Sequence, residues 1–64
     1  MNNDTTAFYR VLRRISEARE GIAQYLAQGG AKNYDEYTKL VGKCEALSEI
    51  EAEIKDVEQE MLAE

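Results

Sequence analysis

Gly29 and Gly30 stand side by side in the stretch Gln28-Gly29-Gly30-Ala31-Lys32-Asn33, the one place where helix-favouring sequence stops. Glycine carries no Cβ penalty at positive φ, so a helix can end there and the chain can reverse. Asn33 then offers a side-chain oxygen to cap a second helix, with Glu36 three residues on in capping-box position. The stretch divides the 64 residues into one helix before it and one after. The predicted fold class is all-α, a single two-helix antiparallel hairpin. Its first helix covers residues of about 5–28, its turn about 29–33 and its second helix about 34–62.

Apolar spacing supports both helices. In the first, Phe8, Val11, Leu12, Ile15, Ala18, Ile22, Tyr25 and Leu26 recur in steps of three and four, which is one helical face. Arg10, Arg13, Arg14, Glu17 and Glu20 fall mostly off that stripe, and Gly21 interrupts the helix at a cost of ~1 kcal/mol. Residues 1–6 are polar and expected to fray, with Asp4, Thr5 or Thr6 as candidate caps. The stripe of the second helix is Tyr37, Leu40, Val41, Cys44, Leu47, Ile50, Ile54, Val57 and Met61. From Leu47 to Met61 its steps are coiled-coil steps, and the short 44–47–50 steps disturb the repeat like a local stammer.

Size limits what such a hairpin can do alone. Hydrophobic residues make up 44% and charged residues 33%, with no proline, which fits an ordered helical chain rather than a disordered tail. Domains below roughly 70–80 residues usually need a staple or an oligomer. One cysteine, Cys44, excludes an internal disulfide, and one Cys without any His argues against structural zinc. Completion by oligomerisation or by docking on a larger assembly remains. The net charge of −5 makes nucleic acid a poor default partner. The start, Met1 to Thr6, has no basic and apolar pattern of a signal peptide, and no apolar run approaches the roughly 20 residues of a membrane span. A soluble compartment with reduced thiols is expected.

Charge divides at the hinge. Residues 1–32 carry five basic residues against three acids, and residues 33–64 carry three against ten, so the halves stand at +2 and −7. An antiparallel hairpin is expected to set Arg10, Arg13 and Arg14 beside Glu45, Glu49, Glu51 and Glu53. Exposed pairs contribute about 0–1 kcal/mol each, so the pattern selects an arrangement more than it stabilises one.

No catalytic, cofactor-binding or metal-binding residues are expected. Cys44 lies on the apolar stripe with no His to activate it, and reads as a small buried hydrophobe rather than a nucleophile. Glu45, Glu49, Glu53 and Asp56 follow helical spacing, but carboxylate metal sites in bundles normally add His, so a solvated acidic face is the better reading. Gly42 is expected opposite Ala18, Arg19 and Gly21, where two glycines would let backbones approach closely, to the first helix or to a partner chain; the alternative is a weak point at which the helices bend. The candidate partner-binding residues are Tyr25, Tyr34, Tyr37, Leu40 and Val41, gathered at the hinge end. Tyrosine joins an apolar ring to a polar tip and is enriched at interfaces; the alternative is that these rings simply close the hairpin's small core.

The stretch Tyr34-x-x-Tyr37-x-x-Leu40-Val41-Gly42-x-x-x-Ala46-Leu47, followed by Ile54-Lys55-Asp56, resembles small proteins encoded in the head-morphogenesis region of tailed bacteriophages, near the terminase and portal genes. The resemblance covers about half of the chain, chiefly the second helix. It implies a non-enzymatic minor virion or assembly protein that docks to portal, capsid or connector proteins, in the virion or the host cytoplasm. The alternative from a different class is a small regulatory hairpin that dimerises into a four-helix bundle and binds RNA or a regulatory protein. That reading needs an exposed basic or aromatic face on the dimer.

Overall fold

The structure, a computed structural model, describes residues 3–63. Helix α1 spans Asn3–Ala27 and helix α2 spans Tyr34–Ala63; they pack on each other as a hairpin 48 Å long, 17 Å wide and 11 Å thick. Among the described residues there is no strand and no fully buried side chain. The first turn of α1 takes in Asp4, Thr5 and Thr6, so they lie inside the helix rather than capping it. The residue that would cap it falls outside the described residues. Polar residues suit a first turn, where the amide groups have no partner within the helix.

The hinge is a Schellman motif. The Gly30 amide donates to the Tyr25 carbonyl at 2.8 Å, and the Gly29 amide to the Leu26 carbonyl at 3.1 Å. Gly29 supplies the left-handed residue this closure requires, with φ +75°. On the far side, Asn33 Oδ1 accepts the Glu36 amide at 2.8 Å and so caps α2, while the Asn33 carbonyl accepts the Tyr37 amide at 3.1 Å. The capping box is only half used. The Glu36 carboxylate accepts the Tyr25 hydroxyl at 3.0 Å and ties the end of α1 to the start of α2.

Half-buried residues mark the seam between the helices. On α1 they include Phe8, Leu12, Ile15, Arg19, Ile22 and Leu26; on α2 they include Leu40, Cys44, Leu47, Glu51, Ile54 and Glu58. Both sets step by four and three, the spacing of a coiled-coil seam. This corrects the expected stripe of α2. Ile50, Val57 and Met61 stand outside the seam, and Glu51 and Glu58 stand in it.

An ion pair explains the rotation. Arg19 Nη1 donates to Glu51 Oε1 at 3.0 Å and to Ser48 Oγ at 3.2 Å, with the carboxylate side chain only 17% exposed. Turning α2 to bury Ile50 and Val57 would carry Glu51 away and leave the guanidinium against hydrocarbon, which is costly. The expected pairing of Arg10, Arg13 and Arg14 with the acids of α2 does not form. Arg13 pairs with Glu17 in its own helix at 3.0 Å, and Arg19–Glu51 is the one ion pair between the helices among the described residues. The expected close approach of Gly42 to α1 is also absent. A Cβ on Gly21 or Gly42 would meet nothing within 4 Å, because both residues face away from the seam.

Candidate functional site

The tyrosines gather at the hinge end by different means. The Tyr25 ring lies against Gly30, so close that an added Cβ there would stand 2.5 Å from Cε1 and 2.6 Å from Cδ1 and Cζ. Gly30 is required by that ring, since the φ of Gly30 is not in the left-handed region. The hydrogen bond to Glu36, with smaller contributions from desolvation and the carboxylate charge, raises the Tyr25 pKa above its ordinary value.

Tyr34 and Tyr37 form an exposed pair on the first turn of α2. Their rings stack with centroids 6.4 Å apart and planes 26° apart, and they remain 77% and 48% exposed. One turn on, the Thr38 hydroxyl donates to the Tyr34 carbonyl at 2.8 Å. Leu40 and Val41 are half-buried just beyond the pair. The five hinge-end candidates thus fall into three groups: Tyr25 locked over the turn, Leu40 and Val41 partly covered, and Tyr34 with Tyr37 open to solvent.

A second surface escaped the reading of the sequence. Val11, Ile50, Val57 and Met61 are each 45–46% exposed. Ala7, Phe8, Val11, Ile54 and Met61 line an open groove of about 320 Å³ along the end of the hairpin farthest from the hinge. Helix periodicity, about 100° per residue, places Ile50 and Val57 on the same side of α2 as Met61. The other side of the seam carries Ser48, which accepts from Arg19, and the exposed Tyr37 and Leu62. The signal was present in the sequence: the apolar arc of α2 is wider than one helix can cover.

Ionisable chemistry has no comparable focus. Cys44 is half-buried, and its thiol lies 3.8 Å from the Arg19 carbonyl as a weak donor. No group of three His, Cys, Asp or Glu among the described residues could hold a metal ion. No helix among the described residues is long and apolar enough to cross a membrane. No protein-family model, curated protein or solved structure matches the chain.

Proposed function

We propose that the chain is a non-enzymatic protein-interaction module that docks into a larger assembly through its hinge end. The observation that carries this reading is the stacked, exposed pair Tyr34–Tyr37. Stacking limits the freedom of each ring, so little side-chain entropy remains to be lost on binding. Aromatic anchors of this kind often cost 2 kcal/mol or more when truncated from an interface. Tyr25, bonded to Glu36, and the half-buried Leu40 and Val41 lie at the same end of the hairpin.

The assembly we propose is the head or connector of a tailed phage, the setting that the resemblance of residues 34–56 implies. A nucleophile–base pair is hard to build from a chain without His and with its one Cys turned toward the seam. The test is sedimentation of the tagged chain with assembled particles from the genome that encodes it. The expected result is co-sedimentation that is lost in the Tyr34→Ala/Tyr37→Ala variant while its helicity is kept. Co-sedimentation undiminished in that variant, or absent from the unaltered chain, overturns the reading.

A further inference from the structure

We infer that the open apolar face is the seat of a second copy of this chain. The two hairpins pack face to face about a twofold axis parallel to the helices, with both hinges at one end. This goes beyond the hinge-end docking reading and stands on different residues.

Position comes first. The exposed apolar residues of the face, Val11 on α1 and Ile50, Val57 and Met61 on α2, lie together in the half of the hairpin away from the hinge, around the open groove. The face is apolar along the side of α2 that carries Ile50, Val57 and Met61, and along α1 at Val11. Closing it against an identical face would complete a four-helix bundle and supply the core that the hairpin lacks on its own.

Charge then selects the second copy and its orientation. The α1 edge of the face is basic: Arg10 and Arg14 flank Ala7 and Val11, and among the described residues neither has an ion pair. In the half away from the hinge the α2 edge is acidic, because helix periodicity sets Glu53 and Glu60 beside Val57 and Met61, while Lys39 and Lys43 lie on the same side nearer the hinge. With both hinges at one end, α1 of each copy lies over α2 of the other. Residues then meet at the level they already share within one hairpin, the level at which Arg19 meets Glu51. Arg14 comes level with position 56 of the second copy, between its Glu53 and Glu60, and Arg10 level with its Glu60. Hinges at opposite ends would instead lay α2 on α2, each in the half of the chain whose net charge is −7. Like charges along facing helices oppose that pairing. A twofold pairing of a basic edge with an acidic edge satisfies both edges twice, as closed symmetry requires.

The test uses the purified full chain. Sedimentation equilibrium over a range of concentrations should give a dimer mass. Val57→Asp should stay helical and raise the dimer dissociation constant at least about tenfold, since it would bury a charge at the centre of the face. Arg14→Glu alone should weaken the dimer, and Glu53→Arg added to it should restore affinity. For orientation, spin labels at Lys32→Cys in a Cys44→Ser background report the hinge-to-hinge distance. Hinges at one end give a distance under roughly 30 Å, because neighbouring helices sit only 8–10 Å apart. Hinges at opposite ends give a distance near the 48 Å length of the hairpin. A monomer at every concentration overturns the proposal and leaves the face to a different polypeptide. A dimer indifferent to Val57→Asp, or a long hinge distance, also overturns it. Tyr34→Ala/Tyr37→Ala should leave the dimer mass unchanged, so failure here and failure of hinge-end docking are separately visible.

Discussion

Gly30→Ala isolates the contact that closes the hinge. The new Cβ would stand 2.5–2.6 Å from three atoms of the Tyr25 ring, where ordinary contact begins near 3.4 Å. The backbone cannot retreat easily, because the Gly30 amide is held by the Tyr25 carbonyl at 2.8 Å. The ring must therefore swing away, and it loses its place over the turn and its bond to Glu36. Overpacking of this kind costs about 1–3 kcal/mol in packed surroundings. An exit to solvent puts the cost here at the low end, about 1–2 kcal/mol. Alanine also narrows the unfolded ensemble, which offsets about 0.4–1 kcal/mol. The expected net loss is about 1 kcal/mol, a fall in Tm of roughly 4–8 °C for a domain this small. Thermal melts by circular dichroism should be run at one fixed protein concentration, since self-association would shift the midpoint. The decisive comparison is the same substitution in a Tyr25→Ala background, where it should be neutral or slightly stabilising. An equal loss in both backgrounds, or no loss in the first, would refute the assignment of Gly30 to the ring.

Gly21→Ala and Gly42→Ala should each stabilise by about 0.5–1 kcal/mol, because helix propensity improves and the added methyl meets nothing within 4 Å; a lowered Tm in either would contradict the open environment described. Arg19→Ala should destabilise more than Arg13→Ala in the same melts, since Arg19 pairs with the partly buried Glu51 while Arg13 pairs with an exposed Glu17; the reverse order would remove Arg19 from its role in fixing the rotation of α2. On the alkaline side the sign is set by Tyr25, whose phenol is held neutral by donating to Glu36 and so ionises above its ordinary value of 10.0. Its contribution is complete below pH 10 and is lost as the pH rises through the raised folded value; a phenolate absorbance titration should show one tyrosine ionising late, and Tyr25→Phe should abolish that late step.

The hairpin was legible in the sequence because its hinge is local chemistry. Adjacent glycines, an Asn three residues after them and helix formers on both sides leave a single place to turn. The face that α2 turns inward was not legible. Apolar spacing marks an arc that includes Leu47, Ile50, Ile54, Val57 and Met61, but which flank of that arc meets α1 depends on a contact across 32 positions, Arg19 to Glu51. A helical pattern records which residues share a face, not which partner covers it. The same limit applies to Gly42, whose neighbours in sequence say nothing of the open space around it, and to Arg13, which takes the nearer carboxylate of Glu17. Of the hinge-end candidates, the sequence grouped the tyrosines together; their division into a locked Tyr25 and an exposed Tyr34–Tyr37 pair depends on the turn geometry.

Hinge-end docking in a particle is tested most directly by site-specific photo-crosslinking during assembly. A photoreactive residue in place of Tyr34 should form an adduct with a structural protein of the particle, identified by mass spectrometry of the cross-linked peptide. The same residue in place of Glu45, an exposed position on α2 away from the hinge, should form none. Adducts to a particle protein from Glu45 and none from Tyr34 would contradict docking through the hinge end.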